Sequence, residues 1–374
     1  MKKVEIMVNN EGSRIKKLII ILLTLTLLMA LVACGQDQTL PENDNVQVER
    51  DLILTPYGNL PIDGPKVNLV LANDAVETSI HNQAMLHLSQ LVDETTEGLI
   101  TITVYPNAQL GSDTEILNST LAGDIDMDLM SGALAQTIIP ESCMFNIPFL
   151  NSGYDVQAIN DTMINGEFRE RFNTYYENAG LKLMVLSLGQ SFQVNTKTPV
   201  TTLKDIKGKK IRTVPAESYM AIYQAWGANP TPLAYSELYS ALQQGLVDGH
   251  DQMLFNILSV KFYEQAKYVL MTNHNYGSFT VVMNLDKFNS LPNEYQAFLK
   301  NVCDYMSDYL TTAFKEGSDS DRKALEELGV EFYDLKAEEL EVWKEAGAAG
   351  IASVEAMVKN NEIIDLYKKC VEKR

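Results

Sequence analysis

Cysteine and histidine are scarce in this chain of 374 residues, with four of each. Four cysteines make no disulfide framework, because one (Cys34) sits in a leader-like segment and leaves an odd set of Cys143, Cys303 and Cys370. His81, His87, His250 and His274 show no metal-like spacing, and His81 and His87 stand six apart, on different helix faces, which suits surface or packing roles. There is no G-x-S-x-G elbow, no H-E-x-x-H pair and no glycine-rich loop after a strand. The usual signatures of hydrolysis, zinc chemistry and phosphate binding are therefore missing. Asp124, Asp126 and Asp128 alternate along a strand, but the glycine and terminal glutamate of a calcium loop are absent, which favours a solvated strand face. Neither cofactor nor metal is expected. Basic residues are few as well: 30 Lys+Arg stand against 49 Asp+Glu, a net charge of −19. A surface of that sign repels nucleic acid and anionic headgroups, so neither is an expected partner. No fixed-period repeat or low-complexity tract is present.

The chain has one long apolar run, and it is the most informative segment. LIIILLTLTLLMALVAC (18–34) follows the basic Arg14, Lys16 and Lys17 and ends in Leu31-Val32-Ala33-Cys34. A basic segment, an apolar core and small residues before a processing point make a secretory signal. A cysteine placed just after that point is the lipobox pattern, in which Cys34 is diacylated and becomes the new N-terminus. At about 16 residues the run is short of the roughly 20 that span a bilayer, and two acyl chains anchor stably where one does not. The expectation is an exported protein, lipid-anchored to the outer face of the cell membrane. Removing residues 1–33 leaves 25 Lys+Arg and 47 Asp+Glu, a net charge of −22. If the ligand is an anion, its capture needs a local positive group against that field.

The remaining 340 or so residues suggest two domains. Residues 34–64 are polar and read as a flexible linker. From there strand and helix patterns alternate: KVNLVLA (66–72), a helix over 78–96, LITITVYP (99–106), a helix over 113–122, and IDMDLMSG (125–132). This beginning argues for an open, largely parallel sheet, whose ligands bind beyond the carboxyl ends of its strands. A second α/β set starts near Leu183, with strands at 183–189, 192–196 and 211–214, helices near 217–226 and 236–245, and a strand region over 246–251. A long helix over about 293–328 is too long for one small layer.

Three segments, QLGSDTEIL (109–117), LAGDIDMDLMS (121–131) and PESCMFNIPFL (140–150), resemble the solute receptors of tripartite ATP-independent periplasmic (TRAP) transporters, the DctP family. LKDIKGKKIRTVP (203–215), GANPTPLAYSELYSALQQGLVDGHD (227–251) and KFYEQAKYVLMTNH (261–274) are similar to its central signature in type, order and spacing. The resemblance covers about residues 66–345. It implies a non-enzymatic, periplasmic-binding-protein-like α/β fold of two domains with mixed sheets, crossing hinge strands and a domain-spanning helix. The boundaries it suggests are 65–189 plus 277–316 for one domain and 190–276 plus 317–374 for the other. It also implies an organic acid as ligand, and as partners the small and large membrane subunits of a sodium-coupled permease.

Residue by residue, Arg212 in KKIRTVP matches the family arginine that pairs with a ligand carboxylate. A planar fork of donors fits a carboxylate and stays charged when desolvated. Tyr235 matches an aromatic that packs on the ligand, and Gln252 stands where many members carry asparagine. Ser191 replaces a second arginine found in many members, which favours a monocarboxylate with hydroxyls, such as a uronate or aldonate, over a C4 dicarboxylate. Asp113, Ser131 and Glu77 stand open between ligand contact and a capping or exposed role. Two further readings remain: a ligand-binding lipoprotein serving a membrane sensor, and a hydrolase with an unrecognised acid pair.

Overall fold

The computed structural model describes residues 51–372, all within a unit that runs from Arg50 to the C-terminus. The signal segment, Cys34 and most of the expected linker lie outside the described residues. The linker was expected to reach residue 64, but the chain folds earlier. β1 (Leu52–Thr55) and β2 (Gly58–Pro61) form an antiparallel hairpin. Its inward residues Ile53 and Leu60 are buried, and the Tyr57 ring packs edge-on against Phe298. A few well-placed apolar residues thus order a stretch whose mean composition is polar.

The first sheet holds β3 (Val67–Ala72), β4 (Ile100–Tyr105) and β5 (Met127–Ser131), parallel as expected. The helix Ile80–Thr95 between β3 and β4 is capped by Ser79, whose hydroxyl accepts from the Asn82 amide, and it buries Ala84, Met85, Leu88 and Val92. The helix Asp113–Ala122 begins in a Ser112–Glu115 capping box and ends at Gly123, whose φ of 84° suits glycine. Then comes β6 (Leu181–Ser191), and the chain crosses at Phe192 to β7 (Gln193–Thr196) of a second sheet. That sheet adds β8 (Lys210–Thr213), β9 (Asn229–Pro232), β10 (Gly249–Gln252) and β11 (Tyr268–Met271). β12 (Tyr276–Asn284) returns to the first sheet, antiparallel to both β5 and β6, which makes the order β4-β3-β5-β12-β6 mixed rather than largely parallel. β13 (Glu331–Asp334) closes the second sheet, of order β13-β11-β7-β10-β8-β9.

The long helix is a third connection. Over Asn293–Glu327 it buries Tyr295, Phe298, Val302, Met306, Leu310 and Phe314 against the first sheet, while Leu325 enters the core of the second. Ser307 and Thr311 stitch it to β6 by accepting from the Leu186 and Leu188 amides, at 3.2 and 3.3 Å. The C-terminal helix Asn361–Glu372 departs from the expected division at 317–374. It packs on helices Val156–Ile164 and Glu167–Asn178, which flank β6, and Tyr367 meets Phe145 and Phe168 there. Among the described residues no helix is long and apolar enough to cross a membrane.

The expected solvated face of Asp124, Asp126 and Asp128 is corrected in part. Only Asp124 is exposed; Asp126 accepts from the Val70 amide and pairs with Lys287, and Asp128 is 1% exposed. The strand starts at Met127, so their alternation spans a turn and a buried strand.

Close strand packing sets one stability prediction. A β-carbon at Gly249 would stand 2.5 Å from the Asn195 carbonyl oxygen and 3.1 Å from the Thr196 Cα, both backbone atoms of β7. Gly249→Ala is expected to lower the unfolding free energy by roughly 1–3 kcal/mol, the range for overpacking, read as a lower denaturation midpoint. An unchanged midpoint would show that β10 moves aside freely.

Candidate functional site

The carboxyl ends of four strands converge on one cavity of about 80 Å³. Asp74 lies just past β3, Ser131 ends β5, Arg212 and Val214 lie at the end of β8, and Gln252 and Met253 end β10. Asp113, at the start of its helix, joins them. Placement beyond the carboxyl ends is what an α/β sheet dictates, since the helices that follow start there.

Arg212 is 1% exposed, not a strand-end surface residue. Its Nε and Nη2 both donate to the Leu233 carbonyl, at 3.0 and 2.8 Å, which fixes the plane of the fork and uses two of five donors. Burial pulls its pKa down from the ordinary value, while Asp251, Asp113, Tyr235 and Asp74 favour the charged form. A guanidinium stays charged under such conditions.

Tyr235 and Gln252 are joined through a residue the sequence did not single out. The Tyr235 hydroxyl donates to Asn256 Oδ1 at 3.0 Å, and Asn256 Nδ2 donates to Gln252 Oε1 at 2.6 Å. Asn256 follows Gln252 by four residues, just inside the helix Leu254–Ser259. Burial pushes the Tyr235 hydroxyl well above its ordinary pKa, so it is a neutral donor and acceptor at any relevant pH.

The titratable groups that face Arg212 are carboxyls and the Tyr235 hydroxyl. Burial, with the nearby Asp113 second, raises Asp74 to about 7 even against Arg212. Burial likewise raises Asp113, and it drives Asp128 well above the usual carboxylate range, helped by Asp74 and Asp113. His81 lines the cavity with its ring 3.9 Å from that of Phe279; burial lowers its pKa to about 3, and its Nε2 has no partner. Behind Arg212, Asp251 and His274 are both buried, 3.7 Å apart, and His274 Nδ1 meets Thr272 Oγ1 at 2.9 Å.

Five of the seven ligand-site expectations share this cavity: Arg212, Tyr235, Gln252, Asp113 and Ser131. Asp113 and Ser131 also serve locally, the first accepting from the Thr114 amide and the second from the Leu134 amide. Glu77 and Ser191 are outside the lining. Glu77 is exposed and its carbonyl holds the Asn82 and Gln83 side chains. Ser191 pairs with Tyr276 across β6 and β12, and its neighbour Phe192 lines the cavity instead. Asp74, Asn256, Phe192 and Tyr219 were missed. Asp74 carried a legible signal, since it lies in the loop after the first strand, three residues before the Glu77 chosen there. Among the described residues no group of three or more His, Cys, Asp or Glu side chains is arranged to hold a metal ion.

The family model described as "DctP: Bacterial extracellular solute-binding protein, family 7" matches residues 71–356. The 2,3-diketo-L-gulonate-binding periplasmic protein of Escherichia coli is 27% identical over 256 residues, covering 68% of this chain and 77% of that one. The C4-dicarboxylate-binding periplasmic protein of Rhodobacter capsulatus is 28% identical over 281 residues, covering 71% and 84%. Among solved structures, the sugar acid binding protein of Advenella mimigardefordensis in complex with galactonate aligns with a TM-score of 0.78 at 23% identity, over 83% of this chain and 99% of that one. The periplasmic ectoine-binding protein of Halomonas elongata gives the same TM-score at 24% identity, over 82% and 100%. At such identities the structures speak for the fold alone.

Proposed function

The chain belongs to the DctP family of bacterial extracellular solute-binding proteins, the solute receptors of TRAP transporters, and we propose that it captures a polyhydroxylated monocarboxylate, a sugar acid such as a uronate or aldonate. The observation that carries this reading is the buried Arg212 at a cavity otherwise supplied with hydrogen-bond acceptors. The guanidinium takes the carboxylate, while Asp74, Asp113 and the Gln252–Asn256 pair accept from hydroxyls. A second carboxylate would meet Asp74 and Asp113 rather than a cation, which disfavours a C4 dicarboxylate. Binding without turnover is the activity. The relatives named above are binding proteins.

The two sheets act as two bodies that close on the solute, the first built from 65–189 plus 277–316 and the C-terminal helix, the second from 190–276 plus 317–360. Lining from both sheets gives a ligand the differential contact that closure requires. The receptor passes its solute to the membrane subunits of a permease, and Cys34 carries the lipid that keeps it at the outer membrane face.

A thermal-shift screen over organic acids tests the solute class. At 100 times Kd a ligand stabilises by roughly 2.7 kcal/mol, so sugar acids should raise the midpoint by several degrees while succinate does not. The reverse ranking would overturn the assignment. For the anchor, Cys34→Ala is expected to abolish acylation and leave the precursor unprocessed at that site. Mass spectrometry showing normal maturation to residue 34 in this variant would refute it.

A further inference from the structure

The N-terminal hairpin precedes residue 71, where the family match begins. Ten large apolar side chains are exposed among the described residues, and six of them lie on the hairpin segment and on the two helices that ring contacts join to it: Leu52, Leu54, Ile62, Leu86, Tyr305 and Tyr309. Leu52 and Leu54 alternate on the outward face of β1, and Leu54 is 76% exposed. A run of ring contacts joins the hairpin to the helix Ile80–Thr95: Tyr57 lies 5.8 Å from Tyr305, Tyr305 lies 6.2 Å from Tyr309, and Tyr309 lies 4.8 Å from His87. The hairpin is held firmly to the long helix, since Asn301 Nδ2 donates to the Tyr57 carbonyl at 2.9 Å. Apolar side chains fixed in an outward position on a rigid support are a surface for something other than water.

What covers it follows from where the chain leads. Only about 17 residues separate Cys34 from Asp51, a contour of at most ~60 Å. This rests on the lipid-anchoring reading above. We propose that the hairpin face is the membrane seat of this receptor: Leu52 and Leu54 enter the headgroup boundary, and Tyr305 and Tyr309 lie at its edge. Tyrosine suits that zone, with an apolar ring and a polar tip. The acidic body gains no electrostatic help from anionic lipid, so the seat is weak by itself. A tether this short supplies an effective concentration in the range of mM, which keeps a weak contact occupied.

The test uses full-length lipidated protein in vesicles of phosphatidylcholine with a minority of phosphatidylglycerol, carrying a headgroup nitroxide quencher. A bimane is placed at Leu54→Cys, Tyr305→Cys or, as a control, the exposed Gln244→Cys of the second sheet's helix Leu238–Gln244. Cys143, Cys303 and Cys370 are buried and do not compete for label. Quenching at Leu54 and Tyr305 should exceed that at Gln244 several-fold, and Leu54→Asp should remove the excess at Tyr305 while ligand affinity stays unchanged. Equal quenching at all three positions would overturn the seat. So would self-association through Leu54 without quenching, which would mark the face as a contact between copies. Mass spectrometry of the same sample reports acylation at Cys34 separately. If Cys34 is unacylated, a Cys34→Ser chain held through an N-terminal histidine tag on nickel-chelating lipid repeats the measurement, so failure of the anchor and failure of the seat remain distinct.

Discussion

Arg212→Ala is expected to weaken binding of the best sugar acid by at least a hundredfold while the protein stays folded. The guanidinium is 1% exposed and its plane is fixed by two hydrogen bonds to the Leu233 carbonyl. Its loss removes the positive group of a cavity in which Asp74, Asp113 and, behind it, Asp251 are the nearby charges. Truncating one partner of a buried charge pair typically costs on the order of 3–5 kcal/mol, and about 1.4 kcal/mol is a decade in Kd. Arg212→Lys should recover only part of the loss. A single ammonium cannot hold the Leu233 carbonyl and present a two-pronged face to a carboxylate together. Calorimetry on both variants, with circular dichroism to confirm folding, checks this. Binding of Arg212→Ala within threefold of the unmodified protein would place the carboxylate elsewhere.

Much of this site was legible in the sequence because strand ends are legible. Strands β3, β4 and β5 and the helices between them announce themselves by period and by caps such as Ser112 with Glu115. Once they are placed, Asp113 and Ser131 fall at the right ends. Arg212 and Tyr235 required the resemblance, since nothing in KIRT distinguishes a buried fork from a surface one. Two kinds of information were not local. Asn256 matters because it bridges Tyr235 and Gln252, a contact made only when β9 and β10 are in one sheet. Asp128 reads as one of a row of solvated acids until β12 pairs on one side of β5 and β3 on the other. The hairpin escaped for the opposite reason: two buried residues, Ile53 and Leu60, order a stretch too short and polar for a periodic signal.

The placement of Ser191 bears on specificity. Outside the lining and paired with Tyr276, it leaves the cavity with Arg212 as its lone guanidinium among the described lining residues. Introducing an arginine at that position is therefore a weaker route to dicarboxylate binding than removing negative charge at Asp74, which lines the cavity.

That carboxyl also gives binding a pH dependence whose sign can be worked out. Asp74 titrates at about 7, raised by burial first and by Asp113 second, and lowered by Arg212. A ligand carboxylate on Arg212 offsets that lowering and adds a like charge, so the pKa of Asp74 in the complex is higher still. Binding then takes up a proton. Affinity is expected to be greatest and flat below about pH 6, and to fall as pH rises through 7 toward the higher pKa of the complex. Each unit of difference between the two pKa values corresponds to about tenfold in Kd. The lining histidine does not share this window, because burial lowers His81 to about 3, as it does His250 in β10. Unliganded stability has its own dependence: with a folded pKa above the ordinary 3.8, Asp74 contributes stability that is present below pH 4 and lost as pH rises through 7. Asp74→Asn keeps the shape and removes the charge, so it should flatten the affinity profile and match the tight, low-pH value of the unmodified protein at pH 8. Calorimetry in two buffers of different ionisation enthalpy counts the proton directly. A sugar acid bound with no proton uptake at pH 7 would mean that Asp74 does not face the bound carboxylate. A slope surviving in Asp74→Asn would assign the proton to Asp113 or Asp128, which burial raises in the same direction.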